Sequence, residues 1–296
     1  MNKEHSLEED VRHGTQERPL TAMHFTTGTG TLYPEVFYVQ RHWHHNVEIV
    51  KAVKGSFLVE QNLENFILKE GEICFINSGE LHQIEGRERD TIHDVLIFNP
   101  HILEFTYQDE FQEEFVAPLL AHISSFPRII EPGDGIYRKL SELFDQAVKA
   151  GLAENDGWYF KVKLLLFEML YELERNRRMV AAASILNASE KERVDRYKKI
   201  VSYVEKHYTE KISLEQLAGE ARCNPQYLCH FFKEIADVSP VQYLIGYRID
   251  KAREMLKDTT KTVLEVSLDC GFENVSYFIR QFKRAVGVTP REYRRI

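Results

Sequence analysis

Two stretches of the chain, NPQYLCHFFKEIADVSPVQY at 224–243 and NVSYFIRQFKRAVGVTPREY at 274–293, determine how its last third folds. Aligned with a constant offset, they share seven identical residues, which are Asn224/Asn274, Tyr227/Tyr277, Phe232/Phe282, Lys233/Lys283, Val238/Val288, Pro240/Pro290 and Tyr243/Tyr293. Identities that keep one order and one spacing predict that a single structural unit occurs twice.

Each copy carries the markers of two helices joined by a short turn. The capping box Ser213-Leu-Glu-Gln216 precedes the first copy, and Thr262-Val-Leu-Glu265 precedes the second. Each box predicts a short helix, after which Asn224 and Asn274 cap a second one. Helix, tight turn and helix is the arrangement of the helix-turn-helix motif, whose second helix enters the major groove of DNA.

A third capping box follows each copy. Ser239-Pro-Val-Gln242 predicts a long helix from Pro240 to about Lys257, and Thr289-Pro-Arg-Glu292 predicts a short one at the end of the chain. The long helix would join the two units rigidly. Such a connection favours two recognition helices on one face, roughly one DNA turn (~34 Å) apart.

Over about residues 193–296 this pattern resembles the AraC/XylS-type transcription regulators. The resemblance rests on the order, spacing and caps of both helix pairs, including Gly271-Phe272 and the closing run from Thr289 to Arg294. One departure is Ser267, where the family usually has Ala, and a residue as small as Ser should still pack. The resemblance implies a regulator that binds double-stranded promoter DNA.

The faces of the two recognition helices can be assigned from their apolar residues. The side chains expected to point mostly inward are Tyr227, Leu228, Phe231, Phe232, Phe278 and Phe282. The resemblance implies that seven outward positions face DNA bases, and these are Gln226, Cys229, His230, Val275, Ser276, Ile279 and Arg280. Three basic side chains are expected to contact phosphates and set the register, and these are Lys233, Lys283 and Arg284.

The front half has a different pattern. From about residue 23 to 98, short apolar runs alternate with turn signals, as in an all-β barrel or sandwich. Apolar residues then recur every three or four positions over 137–152 and 158–178, which predicts two helices. The second helix is apolar enough to need a partner on more than one face, either the barrel or a second copy of the chain.

The predicted fold class is therefore α+β with two domains. A cupin-like β-barrel followed by helices precedes an all-α double helix-turn-helix. The predicted boundaries are a mobile tail at 1–20, a ligand-sensing barrel with dimerisation helices at 21–178, a linker at 179–192 and a DNA-binding domain at 193–296.

Four polar residues of the front half resemble the two cupin motifs. His42, His44 and Glu48 match the first motif, and His82 ends the second. Two departures are Asn77 in place of Pro and Gly86 in place of Asn. In metal-dependent cupins the matching residues hold a divalent ion such as Fe, Mn or Zn. Three interpretations stay open at this stage, namely a metal site, a pocket for a small organic effector such as a sugar, and a purely structural barrel.

The uneven distribution of charge indicates that the two halves of the chain have different functions. Residues 190–296 carry 20 Lys and Arg against 16 Asp and Glu, a net of +4, which leaves −12 for the rest of a chain whose total is −8. The four cysteines show no zinc spacing, and no apolar run approaches the ~20 residues that span a bilayer. These observations favour a cytoplasmic protein with no membrane partner.

The sequence thus predicts a homodimeric transcription regulator with no catalytic residues and no required cofactor. A small molecule bound in the barrel would control the DNA-binding domain, and RNA polymerase would be a partner if the protein activates. One rival is a metal-dependent cupin enzyme with an accessory DNA-binding domain. The other is a constitutive regulator in which the barrel is only structural.

Overall fold

The computed structural model describes residues 13–28, 35–258 and 260–295. Contacts divide the described chain into two compact units, one that ends at Lys191 and one that begins at Glu192. We call them the barrel unit and the helical unit. Most of the predicted tail at 1–20 lies outside the described residues, and its described part leads directly into the first strand.

The barrel unit is built from antiparallel strands. In the described residues these are β1 (Leu20–Thr26), β2 (Tyr38–His42), β3 (Val47–Lys54), β4 (Phe57–Gln61), β5 (Glu64–Leu68), β6 (Ile73–Ile76), β7 (His82–Gly86), β8 (Ile92–Phe98), β9 (Ser124–Ser125), β10 (Ile129–Ile130) and β11 (Val180–Ala181). One sheet has the order β1-β8-β3-β6-β10 and the other the order β2-β7-β4-β5, while β11 pairs with β9. The prediction of a β-rich front domain is confirmed.

Helices follow the strands. A 3-10 helix (Pro100–Leu103), a π-helical turn (Gln112–Val116) and α1 (Ala117–Leu120) lead to α2 (Tyr137–Ala153) and α3 (Trp158–Arg175). Both long helices begin where the apolar periodicity predicts. Helix α3 ends earlier than the predicted residue 178, because Arg177 has a left-handed φ of 53° that a continuing helix does not accommodate.

The two faces of the five-stranded sheet belong to two different cores. On β3, Val47 and Ile49 pack into the core that α2 and α3 complete. Val50 and Ala52 lie on the opposite face, in the core between the two sheets. Because successive side chains of a strand point to opposite faces, β3 reads as a continuous apolar run broken by Glu48 and Lys51.

The segment predicted as a linker, 179–192, contains regular structure. It comprises β11, the short helix α4 (Ala182–Ile185) and the start of α5 (Ala188–His207). Strand β11 is paired with β9, so the backbone at Val180 is hydrogen-bonded to the barrel unit. The helices of the described residues are all too short or too polar to span a lipid bilayer.

The helical unit repeats one construction. Beyond α5 its helices are α6 (Leu214–Glu220), α7 (Pro225–Ala236), α8 (Pro240–Asp258), α9 (Val263–Asp269), α10 (Val275–Val286) and α11 (Pro290–Tyr293). The capping boxes predicted at Ser213, Thr262 and Thr289 all form. Ser239 and Gln242 make the same reciprocal pair of hydrogen bonds at the start of α8. Asn224 and Asn274 cap α7 and α10 as predicted.

At two positions of the second copy, the surrounding structure limits which residue fits. Gly271 has a φ of 80°, and a Cβ there would lie 2.5 Å from the Tyr208 carbonyl oxygen, so no other residue fits without a shift. Ser267, the departure from the family pattern, is fully buried in α9. Its hydroxyl has no hydrogen-bond partner among the described residues, which accounts for the usual Ala at this position.

One buried histidine lies inside the barrel among aromatic rings. His93 on β8 is 1% exposed, and neither ring nitrogen has a hydrogen-bond partner in the described part of the chain. Its ring centroid lies 5.0 Å from that of Phe25, 4.2 Å from that of Phe37 and 4.8 Å from that of Phe57. Burial lowers the pKa of His93 to about 4, although the negative charge of Glu48 opposes the shift.

The pKa of His93 predicts a stability loss in acid. An unfolded histidine titrates near pH ~6.5, so between that pH and about 4 the unfolded chain binds a proton that folded His93 does not. The free energy of unfolding should therefore fall across this window by up to about 3 kcal/mol from this residue alone. In His93→Phe the loss should be smaller, as measured by denaturant unfolding of the metal-free chain at several pH values. His101→Gln, an exposed histidine of the same unit, is the control, and equal pH slopes for His93→Phe and wild type would refute the prediction.

Candidate metal centre and nucleic-acid interface

The four cupin-like residues converge at one end of the barrel. His42 ends β2 and is the direct cross-strand partner of His82 at the start of β7, while Glu48 comes from β3 in the other sheet. With His44, they bring one ligating atom each to within 4.8 Å of one another. His44, Glu48 and His82 are buried and His42 is half-buried, so the cluster lies nearest to solvent on the His42 side.

Backbone carbonyl groups hold each of the three imidazole rings. The Nδ1 atoms of His42, His44 and His82 lie 2.8, 3.1 and 2.9 Å from the carbonyl oxygens of Gln40, Asn46 and Glu80. A carbonyl oxygen can only accept a hydrogen bond, so each Nδ1 must carry the proton and donate it. The Nε2 atom of each ring is left as the nitrogen that can ligate a metal, which is how metal-bound histidines are usually oriented.

The carboxylate of Glu48 lies between two of these rings. Its Oε2 atom is 3.3 Å from Nε2 of both His44 and His82. If both rings were neutral with the proton on Nδ1, two lone pairs would face an anionic oxygen at this distance. A positive charge must therefore sit among these atoms, either as protons on the imidazoles or as a metal ion.

The electrostatics of the cluster keep the carboxylate ionised. Burial by itself would raise the pKa of Glu48, but hydrogen bonding to His44 and His82 and their positive charge lower it well below its ordinary value. A deprotonated carboxylate beside three Nε2 donors is a hard and intermediate ligand set that suits first-row divalent ions. The donor set of this chain therefore fits such an ion.

The first departure from the cupin motif has a structural role. Asn77 donates through Nδ2 to the Phe126 carbonyl oxygen at 3.2 Å and accepts at Oδ1 from the Phe126 amide at 2.8 Å. The Asn77 amide also donates to the carboxylate of Glu80, whose carbonyl oxygen holds His82. A proline could make none of these side-chain bonds and lacks the amide, so Asn77 connects the turn that positions His82 to the segment next to β9.

The second departure has a simpler cause. Gly86 lies at the far end of β7 from His82 and donates its amide to the Phe37 carbonyl oxygen at 2.8 Å. A Cβ at this position would already lie 3.3 Å from Thr91 Oγ1. A larger residue there would crowd the pairing of β7 rather than reach the cluster.

The predicted DNA-facing side chains of the two recognition helices differ in their exposure to solvent. The predicted base-facing side chains that are exposed are Gln226, His230, Ser276 and Arg280, and those that are partly buried are Cys229, Val275 and Ile279. Ile279 also packs against the core of the second copy. The three residues assigned to phosphates, Lys233, Lys283 and Arg284, are all exposed.

One inward assignment is wrong. Tyr227 is 43% exposed, whereas Leu228, Phe231, Phe232, Phe278 and Phe282 are buried as predicted. The Tyr227 hydroxyl accepts a hydrogen bond from Arg196 at 3.1 Å, and its ring stacks on Phe231 with 5.8 Å between centroids. A tyrosine can bury its ring and keep its hydroxyl at the surface, so its apolar character alone misplaces it.

Arg196 is the residue that sequence reasoning missed here. It lies on α5, outside the repeat, and also donates to the Ala221 carbonyl oxygen at 3.1 Å, next to the turn between α6 and α7. The repeat does not point to Arg196. Its helix, α5, precedes the first copy, and the helix that precedes the second copy is α8. Its only sequence signal is an arginine on a polar helix that precedes the first capping box.

Comparison with known families agrees with this geometry in both units. The family model described as AraC-like ligand binding domain matches residues 30–159, and the one described as helix-turn-helix domain matches residues 217–296. Together they cover more than two thirds of the chain. The chain belongs to the AraC-type transcription regulators.

Several known proteins are similar in sequence to this AraC-type regulator over most of its length. The Bacillus subtilis protein named "Uncharacterized HTH-type transcriptional regulator YdeC" is 29% identical, over 98% of this chain and 97% of that protein. The arabinose operon regulatory protein of Salmonella typhimurium is 26% identical, over 82% and 81%. The HTH-type transcriptional activator RhaS of Escherichia fergusonii is 25% identical, over 86% of each. This regulator therefore consists of an N-terminal ligand-binding domain and a C-terminal domain that binds DNA.

The exposed charges of α10 predict two kinds of DNA contact. Arg280→Ala should weaken binding by about 1–3 kcal/mol for sites with the preferred base and relax selectivity at that position. Lys283→Ala should weaken binding to all sequences equally and reduce the salt dependence by about one phosphate contact. Fluorescence anisotropy against a randomised site library at several salt concentrations measures both. Lys69→Ala in the barrel unit makes the same change of charge and serves as the control. Equal loss on every sequence for Arg280→Ala would contradict the base-facing assignment.

Proposed function

We propose that this regulator senses its small-molecule effector through a divalent first-row metal ion held by His42, His44, Glu48 and His82. The observation that carries the proposal is the convergence of four ligand atoms within 4.8 Å of one another, with Nδ1 of each imidazole hydrogen-bonded to a backbone carbonyl group. Each of the four side chains would supply one donor atom to such an ion. When bound, the ion would supply a positive centre for oxygen donors of an effector, such as a carboxylate or the hydroxyls of a sugar.

The structure favours this function over the two other interpretations of the barrel. An organic pocket alone would not require three rings to share one tautomer around a carboxylate. A purely structural barrel would gain nothing from three buried polar side chains, because burial of such groups is unfavourable unless they are fully paired. A sugar effector is consistent with the name of one relative, the arabinose operon regulatory protein.

We infer a regulatory rather than an enzymatic use of the cluster. The relatives that match most of the chain carry the names of transcription regulators. We propose a cytoplasmic location, because the promoter DNA that such a regulator binds lies there. RNA polymerase is a partner if the promoter site lies where the bound protein activates.

We further propose that two copies associate through α3. Phe160, Leu164 and Tyr171 are 66%, 48% and 55% exposed, and their spacing places them on one face of the helix. A two-fold axis brings the same patch of each copy together. The first half of α3 carries Lys161 and Lys163, and the second half carries Glu168, Glu172 and Glu174 together with Arg175, so antiparallel pairing would place mostly opposite charges side by side. A dimer would place two DNA-binding domains on paired sites and so raise the overall affinity.

The metal site predicts stoichiometric binding that depends on the four ligands. Chain stripped with a chelator and dialysed against Co²⁺ or Zn²⁺ should retain one ion, as measured by elemental analysis and by titration calorimetry. Glu48→Gln and His82→Ala should each weaken binding by roughly 10- to 100-fold or more. Affinity should also fall as the solution is made more acidic, because a metal ion binds the deprotonated form of its ligands.

A histidine outside the cluster provides the control for these variants. His24→Ala removes an imidazole that pairs with Asp94 and should leave metal affinity unchanged. Failure of the wild-type chain to bind any of these ions would remove the metal and leave the organic-effector pocket as the function of the cluster.

The interface on α3 predicts a dimer that one charge can disrupt. Leu164→Asp should convert the dimer to a monomer, because two buried carboxylates would face each other near the two-fold axis. Analytical ultracentrifugation measures the change, and Lys161→Ala on the same helix tests whether flanking charge contributes a smaller part. A wild-type chain that is monomeric at micromolar concentration, or a Leu164→Asp variant that is still dimeric, would exclude this interface.

A further inference from the structure

The turn between the two helices of each copy contains a residue in the left-handed conformation. It is Arg222 in the first copy and Gly271 in the second, with φ values of 50° and 80°. Each directly follows the C-cap residue of the first helix, and its amide donates to a carbonyl oxygen three residues earlier, at 3.0 and 2.9 Å. The amide of the next residue donates to the carbonyl oxygen five residues before it. The two positions are therefore structurally equivalent, with an arginine at one and a glycine at the other.

Arginine is an unfavourable residue for this position. A left-handed backbone is strained for a residue with a Cβ atom, and helices that end in this way usually have glycine there. The side chain of Arg222 is exposed, and it forms no ion pair or hydrogen bond with the residues that the structure describes. Contacts within that part of the chain therefore do not explain why an arginine is present. Strained residues of this kind are most frequent at functional sites.

Arg196 shows where this turn lies relative to the exposed face of α7. Its Nε atom donates to the carbonyl oxygen of Ala221, which belongs to the peptide group that leads into Arg222, and its Nη1 atom donates to the Tyr227 hydroxyl. One guanidinium group thus bridges the turn and Tyr227. The exposed Tyr227 lies three residues before His230, a predicted base-facing residue, and so on the same side of the helix. Arg222 therefore lies at the edge of the predicted DNA-facing surface.

The distribution of charge differs between the two recognition helices. The second one ends with two exposed cations predicted to contact phosphates, Lys283 and Arg284. The first one has Lys233, but the residue at the position of Arg284 is Glu234, whose carboxylate pairs with an arginine of α5. The first helix thus has one fewer cation at its C-terminal end. Arg222 supplies one additional cation before its N-terminal end, where the second copy has glycine.

We propose that Arg222 binds a phosphate group of the DNA backbone beside the first recognition helix, and that the Tyr227 hydroxyl is a second donor to the backbone there. The hydroxyl oxygen accepts a hydrogen bond from Arg196, so its own proton is left to donate, and a phosphate oxygen is an acceptor. A guanidinium group pairs with phosphate through two parallel hydrogen bonds. These contacts carry no base information. They hold the first recognition helix in register from its N-terminal side, as Lys233 does from its C-terminal side.

The first variants separate the charge of Arg222 from the strain of its backbone. Arg222→Gln keeps the strain and removes the charge, whereas Arg222→Lys keeps both. Fluorescence anisotropy measures binding of the full-length chain to a site selected from a randomised library and to a duplex of unrelated sequence, over a series of salt concentrations. Arg222→Gln should weaken binding to both duplexes by about 3- to 10-fold and lower the salt slope by about 0.9, as for one phosphate contact. Arg222→Lys should retain the salt slope.

Tyr227→Phe removes the hydroxyl group and keeps the ring. It should weaken binding to both duplexes by about two- to tenfold, because one neutral hydrogen bond is lost, and leave the salt slope unchanged. Equal affinities of Tyr227→Phe and the wild-type chain would exclude the hydroxyl as a donor.

Arg222→Gly should change stability and DNA affinity in opposite directions. Relief of the left-handed strain should raise the midpoint of thermal unfolding of the helical unit by about 2–4 °C, while DNA affinity falls as in Arg222→Gln. Arg89→Gly is the matched control, because Arg89 is an exposed arginine of a barrel-unit loop and its φ is not left-handed. It should neither raise the midpoint nor weaken DNA binding.

Three results would overturn the proposal. The first is an unchanged affinity and salt slope for both Arg222→Gln and Arg222→Gly. The second is a loss of affinity for the selected site without a loss for the unrelated duplex, which would make Arg222 a base contact. The third is a loss of transcription activation with unchanged DNA binding, which would assign Arg222 to an acidic protein surface.

Discussion

Strand β3 is buried on both faces, and the arrangement of the barrel unit depends on that constraint. Its odd-numbered residues Val47 and Ile49 complete the core with α2 and α3, so its even-numbered residues must enter the space between the sheets. Glu48 is one of these, and it is the only position on β3 where a carboxylate is turned into the barrel. A slip of one residue in register would turn Lys51 into the space between the sheets and Glu48 toward α2 and α3, so the packing of the helices fixes where the carboxylate lies.

The imidazoles depend on that carboxylate and on the backbone around them. Each ring is oriented by a carbonyl group two residues away from it in the chain, which is a local contact. What brings the three rings together is the pairing of β2 with β7 and the approach of the second sheet. The cluster is thus a junction of two sheets, and an ion bound there would bridge them. Asn77 extends this junction to Phe126 and to the strand pair that leads out of the unit.

The two copies in the helical unit share their structural residues and differ in their exposed residues. Both copies use the same caps and the same buried phenylalanines, Phe232 and Phe282, because these residues form the structure. The copies differ where the recognition helices are exposed, with His230 in one and Arg280 in the other. Identical scaffolds with different exposed side chains would read different bases, so the divergence of the repeat favours an asymmetric DNA site.

The sequence by itself determined the helical unit almost completely. The sequence signals for this unit are local. Its capping boxes, its helix periodicity and its repeat all lie within a few residues of the helices that they predict. The same is true of the β-rich front domain and of the four cluster residues, whose spacing matches a known motif. The tertiary structure decided the rest. The meeting of His42, His44 and His82 around Glu48, the hydrogen bonds of Asn77 to Phe126 and the contact of Tyr227 with Arg196 all join residues far apart in the chain, and no local pattern predicts such contacts. These contacts form only when sheets and helices pack, because burial and partner geometry, rather than residue type, set the role of a polar side chain.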